Sequence, residues 1–222
     1  MTPKQFIRFL FFTFLICIFF TCSENSNQNI SDKKITIKMI THGQAGDPFW
    51  SVVRNGAKDA AQDLGISLQY LSPQNFDMIT MSRMIDAVIA TNPDGLILSV
   101  PDIPALKKSI ISASKNNIPI IVINAGSKII EEVDILTYIG QSEYEAGMKA
   151  GQELVKHNVK SVLCINHEIG NISLDQREQG LRKILQENNV LVKTIPIDAS
   201  DPSETQEMVR SFLSSNKNID GI

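Results

Sequence analysis

MITHGQAGDPFWSVVRNG, residues 39–56, decides the fold. The apolar run Ile35 to Thr41 stops at His42, and a loop containing Gly43 and Gly46 follows. Asp47-Pro48 then opens a helix. An Asp at the N-cap accepts the free N–H groups of the first turn. Pro suits the next position because its missing N–H would have had no partner. Phe49, Val52, Val53, Gly56, Ala57, Ala60, Ala61 and Leu64 recur at helical spacing, which predicts a helix with one buried stripe. The stretch therefore reads strand, loop, helix. In an open α/β sheet, the carboxyl end of a strand beside a helix N-terminus is where ligands bind. Phe49 is in phase with the stripe and core is its default. Trp50 lies about 100° off it, so this large aromatic needs a partner outside the core.

The same pattern continues in both directions along the chain. Ile66 to Leu71 predicts a strand, Asp77 to Thr91 a helix, and Asn92-Pro93-Asp94-Gly95 a turn. Leu96 to Val100 and Pro119 to Asn124 are short apolar runs of the kind found in buried parallel strands. Pro104 to Asn116 is a helix between them. Strands alternating with helices imply βαβ units, a parallel sheet and right-handed crossovers.

Ala125 to Asp134 breaks the rhythm, and a second α/β block follows. Leu136 to Gly140 reads as a strand. Ser142-Glu143-Tyr144-Glu145 is a capping box, and its helix carries Gly147 and Gly151 on one stripe, which predicts close packing on a sheet. Strands at Lys160 to Asn166 and Leu191 to Ile197 flank a helix from Leu174 to Gln186. Asp201-Pro202 repeats the helix start of Asp47-Pro48. Asp220-Gly221-Ile222 resembles the turn Asp94-Gly95-Leu96 that leads into a strand, yet the sequence stops there. The expectation is a C-terminally truncated second lobe, from a fragment or from a gene that has lost its end.

Length and charge set outer limits. A chain of 222 residues with a formal charge of −3 has room for one large or two small cores. No Lys/Arg run is present, so nucleic acid is excluded as an expected partner. Residues 1–22 carry Lys4 and Arg8 ahead of the apolar run Phe9 to Phe20, which is short for a membrane span of roughly 20 residues and fits an export signal. Cys22 closes this segment, and a polar tether, residues 23–34, follows. Two readings of Cys22 stand: lipid attachment, as in a bacterial lipoprotein, or an uncleaved anchor or ordinary cleavage nearby. Of the three cysteines, Cys17 and Cys22 belong to the signal, and Cys164 lies in an apolar run as a buried thiol. No motif for catalysis, metal or cofactor binding is found: GxSxG, P-loop, HExxH and paired Cys are all missing.

In order and spacing, five pieces carry a family resemblance. They are Asp47-Pro48-Phe49-Trp50, the Asn-Pro-Asp-Gly turn into Leu96-Ile97-Leu98, Ile118-Pro119-Ile120, Ile139-Gly140 followed by Ala146-Gly147, and Arg177-Glu178-Gln179-Gly180. Over Ile35 to Ile222 the chain resembles the periplasmic sugar-binding proteins of ABC transporters, of the ribose-binding type. That resemblance implies two Rossmann-like α/β lobes with parallel sheets, the type I periplasmic binding protein fold. The N-terminal lobe would span 35–136 and the incomplete second lobe 137–222. It implies an exported protein of the periplasm or cell envelope that clamps a sugar and hands it to an ABC permease, without cofactor or catalysis.

The resemblance also implies ligand contacts. Asp47 matches a polar position that binds sugar hydroxyls, and Phe49 and Trp50 match the aromatic pair that sandwiches the ring. Asn124 matches a polar residue after the fourth strand, where the family's usual Asp-Arg pair is here Asn124-Ala125. Arg177 matches an arginine offered by the second lobe, and His42 lies near a further contact. Each has a plainer reading: Asp47 as a cap, Phe49 as core, Asn124 and His42 as loop residues, Arg177 as half of a structural ion pair. His157 and His167 read as ordinary loop histidines. Other functions compete with transport. They are a periplasmic sensor feeding a receptor or kinase, the effector domain of a sugar-responsive repressor, an exported α/β enzyme, and a non-functional truncated remnant.

Overall fold

In the computed structural model, which describes residues 34–43, 46–198 and 201–222, the first apolar run forms β1 (Thr36–Ile40). The signal segment 1–22 with Cys22, and tether residues 23–33, lie outside the described residues. β2 (Ser67–Leu71), β3 (Gly95–Leu98), β4 (Ile120–Ile123) and β5 (Thr137–Ile139) join β1 in one parallel sheet of order β2-β1-β3-β4-β5. The intervening helices are α1 (Pro48–Asp63), α2 (Met78–Ile89) and α3 (Ile103–Lys115), and a short 3-10 helix, Ser127–Glu131, precedes β5. Their caps are those that the sequence offers. Asp47, Asp77 and Asp102 each accept a first-turn N–H at 2.7–2.9 Å. Helices that cover the sheet make its strands apolar throughout, and Ile40, Leu96, Leu98, Ile120 and Val122 are buried against Met81, Ile85, Leu106 and Ile110.

Sheet winding reverses direction between β1 and β3, the topological switch point where the carboxyl ends of neighbouring strands part and leave a crevice. His42 follows β1 and Ser99 follows β3, so both stand at its floor.

The second lobe contains α4 (Glu143–Lys156), β6 (Ser161–Asn166), α5 (Ile172–Glu187), β7 (Leu191–Pro196) and α6 (Pro202–Ser215). β6 and β7 pair in parallel around a smaller core of Val159, Val162, Leu181, Leu185 and Val190. Gly221 bridges Val162, and its carbonyl accepts the Leu163 N–H at 2.9 Å. The repeated Asp-Gly pair does the same work in both lobes. Asp94 accepts the Thr36 N–H at 2.8 Å and donates its own N–H to the Thr36 carbonyl at 2.9 Å. Asp220 accepts the N–H groups of Lys160 and Ser161 at 2.9 Å and donates to the Ser161 carbonyl at 3.0 Å. Gly221 thus stands to β6 as β3 stands to β1. The bonds from Ser161 and Lys160 hold the Asp220 carboxyl below its usual range.

Three expectations change. Thr137–Ile139, placed at the head of the second lobe in the sequence reading, pairs instead with β4 as the edge strand of the first sheet. The open backbone groups of β4 need partners, and the departing chain supplies them. Gly147 and Gly151 pack on α5, not on a sheet: a Cβ at Gly147 would lie 1.9 Å from the Arg177 carbonyl oxygen, and one at Gly180 would lie 2.0 Å from that of Tyr144. The buried face of α1 is also rotated. Trp50 is 4% exposed and shares the inner side with Ala61, whereas Phe49 is 53% exposed. Valines and alanines occupy both sides of α1, so the apolar period alone does not orient it, and the bulk of Trp50 decides.

Chain passes between the lobes at Gly140–Ser142, and Ile172 at the start of α5 donates its N–H to the Pro101 carbonyl of the first lobe at 2.9 Å. Among the described residues no helix is long and apolar enough to cross a membrane.

Candidate functional site

Both lobes contribute to a cavity of about 220 Å³ at the switch point. His42, Asp47, Phe49, Trp50 and Asn124 line it from the first lobe, and Arg177 lines it from the second. All six residues that the resemblance named therefore meet in one place. A wider hollow of about 500 Å³ shares Glu143 and lies between the 3-10 helix and the starts of α4 and α5. The smaller cavity is the one at the ends of β1 and β4.

Histidine 42 is buried and anchored rather than a loose loop residue. Its backbone N–H donates to Ser99 Oγ at 2.9 Å, and its Nδ1 lies 2.7 Å from the same oxygen. Burial, aided by the nearby His167, pushes the imidazole pKa down to about 3, so the ring is neutral at pH 7. With Ser99 Oγ already accepting from the backbone, its O–H donates to Nδ1. This network assigns the ring proton to Nε2, which faces Glu168 Oε2 of the second lobe at 3.6 Å.

Trp50 packs edge-on to His42, with ring centroids 5.0 Å apart, and edge-on to Phe49 at 5.1 Å. These are favoured aromatic geometries. Gly43 makes room for the indole: a Cβ there would fall 1.6 Å from Trp50 Cδ1. Gly43→Ala is therefore expected to displace the indole, shift Trp50 emission to longer wavelength, and cost about 1–3 kcal/mol of stability. Steady-state fluorescence and urea titration of the two proteins check this.

The polar groups divide by role. Asp47 Oδ1 caps α1 by accepting the Phe49 N–H at 2.7 Å. Asn124 holds a left-handed backbone (φ 61°), which Asn tolerates better than most residues. Its carbonyl accepts the Tyr138 O–H at 2.6 Å, and among the described residues its side-chain amide has no hydrogen-bond partner. Arg177 is 48% exposed and paired: Nε and Nη2 lie 2.6 and 2.5 Å from the same Glu143 oxygen. Glu143 is 4% exposed and also accepts from Gln141 at 3.1 Å.

Several lining residues escaped the sequence reading. Glu143 looked like part of a capping box, yet it is the buried partner of Arg177. His167, read as an ordinary loop residue, lines the cavity with Glu168, Asn171 and Ser173. Glu168 accepts from Asn171 Nδ2 at 2.7 Å, and burial raises its carboxyl pKa. The signal was present. Strand β6 ends at Asn166, and residues just past a strand's carboxyl end belong to the crevice.

Comparison with known proteins shows the family. The chain is 25% identical over 188 residues to the ABC transporter periplasmic-binding protein YphF of Escherichia coli K12, covering 75% of this chain and 56% of that one. It spans about half the length of the curated relatives it matches. Among solved structures, it superposes with a TM-score of 0.79 at 29% identity on a periplasmic sugar binding protein of an ABC sugar transporter from Legionella pneumophila, over 84% of this chain and 68% of that one. A carbohydrate transporter structure from Acidothermus cellulolyticus 11B, in complex with myo-inositol, gives the same TM-score at 30% identity, over 84% and 64%. The family model of the periplasmic binding protein domain matches residues 37–222, and the chain belongs to that family.

Proposed function

We propose that this chain is a solute-binding protein that captures a sugar or sugar-like polyol between its lobes and delivers it to an ABC transporter permease. The observation that carries the reading is the cavity between lobes that gathers Phe49, Trp50, Asp47, Asn124 and Arg177. Sugars present C–H faces and hydroxyl edges. Aromatic rings cover the faces, and carboxylate, amide and guanidinium groups bind the edges through charge-assisted hydrogen bonds. The relatives support the same class, since one is described as a sugar binding protein and another holds myo-inositol. On this reading residues 1–22 direct export, Cys22 is the candidate lipid attachment, and the protein works outside the cytoplasmic membrane as a binder and not as an enzyme. The lobes close over ligand by shifting an open–closed equilibrium.

The sole tryptophan reports on the site directly. Titrating the full chain with pentoses, hexoses and inositols is expected to give a saturable change in Trp50 emission for at least one, with matching heat in calorimetry. A folded protein that shows neither with any member of that panel would falsify the assignment.

A further inference from the structure

Charge around the cavity is unbalanced. Asp47, from the N-terminus of α1, and Glu168, from the loop after β6, line it from opposite lobes. Burial opposes ionisation of Glu168 and the Asp47 charge adds to it, whereas the Asn171 amide and His167, which also lines the cavity, favour the charged form. Among the described residues neither carboxylate is paired with a Lys or Arg. Arg177 lines the cavity, but Glu143 already holds it through two nitrogens. The nearby Arg54 sits over the Tyr70 ring, 5.9 Å from its centroid, and is not part of the lining. His42 is neutral, and the one side-chain donor close to Glu168 Oε2, apart from the imidazole at 3.6 Å, is the Asn171 amide.

We infer that the ligand is an amine-bearing sugar whose ammonium group lies between Asp47 of the first lobe and Glu168 of the second. The inference rests on the binding-protein reading and narrows it to a substrate class. A half-buried carboxylate is stabilised by an incoming cation far more than by a neutral hydroxyl. One ammonium placed between two carboxylates relieves both the burial of Glu168 and its repulsion by Asp47. The remaining hydroxyls have Asn124 and Arg177, and the ring has Phe49 and Trp50. An anionic ligand, a uronate or a sugar phosphate, would meet two carboxylates that no Lys or Arg neutralises, with Arg177 already held by Glu143 and His167 the remaining basic side chain of the lining. The two acids come from different lobes, so the same ammonium would favour closure.

Calorimetry on the full chain tests this with matched sets at pH 7: glucose, glucosamine and glucuronate, and the corresponding galactose and mannose sets. In the series that fits, the amino sugar is expected to bind about tenfold or more tightly than its parent, the margin of a charge-assisted over a neutral hydrogen bond. Glu168→Gln is expected to bring that ratio close to one. A parent sugar or uronate that binds as tightly as its amine overturns the charge inference and leaves the sugar-binding reading standing. A ratio that Glu168→Gln does not change also overturns it. Failure of every member to bind overturns the amine inference, and the wider panel of pentoses and inositols then decides the sugar-binding reading.

Discussion

Replacing Gly180 by valine is expected to destabilise the second lobe strongly. Helices α4 and α5 cross at backbone contact, and both glycines at the crossing face main-chain atoms. A Cβ at Gly180 would lie 2.0 Å from the Tyr144 carbonyl oxygen and 2.9 Å from the Met148 nitrogen. At Gly147 the corresponding atoms are the Arg177 carbonyl oxygen at 1.9 Å and the Leu181 nitrogen at 2.9 Å. No rotamer change relieves a clash with backbone, so the helices must separate. Overpacking usually costs about 1–3 kcal/mol. Separation here also opens the small core of Leu181, Leu185, Val162 and Val190, so the loss is expected to exceed about 3 kcal/mol. Native domains hold only about 5–15 kcal/mol in total.

Scanning calorimetry should show the melting temperature falling by roughly 6–12 °C, or a transition split between the lobes. Gly151→Ala is the milder comparison, because its Cβ would meet the Ile184 Cβ at 2.9 Å and the Leu181 carbonyl oxygen at 3.1 Å, farther than the backbone oxygens that face Gly147 and Gly180. An unchanged melting temperature for Gly180→Val would mean that the two helices do not touch in solution. The site depends on the same crossing. Glu143 opens α4 and Arg177 lies on α5, so the ion pair of the cavity is set by how closely these helices approach.

Legibility in the sequence followed local chemistry. The strands and helices are readable because each apolar run is bounded by a cap or a turn that acts over a few residues. Asp47, Asp77, Ser142 and Asp201 all cap as their positions suggest. The Asp-Gly repeat at 94 and 220 was visible as text, and both copies clamp a neighbouring strand through the same pattern of bonds. Features that depend on tertiary approach were not readable. Gly147 and Gly180 contact each other's helices, and nothing local distinguishes a glycine that packs on a helix from one that packs on a sheet.

The site was legible in part, for the same reason. Its named residues came from one stretch after β1, one position after β4 and one helix of the second lobe, and all line one cavity. The aromatic pair takes the faces opposite to those its helical phase predicts: Trp50 is the buried member and Phe49 the exposed one. Gly43 explains this, since the indole needs the space its missing side chain leaves. The position of Glu168 just past β6 places it at the crevice, but the burial of Glu143 and the partners of both acids, Arg177 and His42, come from other elements and have no local signal.

Acid is expected to destabilise the protein through His42, with a sign that follows from its environment. Unfolded, the imidazole titrates near 6.5; folded, it is held to about 3. Between those values the unfolded chain takes up a proton that the native protein refuses. The stabilising term is therefore fully present above about pH 6.5 and is lost steadily as the pH falls towards 3. The slope is about 1.4 kcal/mol per pH unit, which makes roughly 3 kcal/mol between pH 6.5 and 4. Glu168 acts in the opposite sense. Its raised folded pKa means that the native state takes up a proton first, which offsets part of the loss as the pH falls towards 4.5, the carboxyl's ordinary value.

The resistance of His42 has a structural cause beyond burial. Nδ1 accepts from Ser99, so a second proton must arrive there and turn that bond round. Ser99 Oγ would then face two donors, the backbone N–H and Nδ1–H of His42, and would have to aim its own O–H elsewhere in a fully buried position. Urea titrations from pH 7.5 to pH 4 on the parent chain and on His42→Gln measure the effect. The variant is expected to be less stable at pH 7.5 but to lose much less on acidification, so that the curves converge. Equal slopes in the two proteins would show that the imidazole is not held neutral at the floor of the crevice.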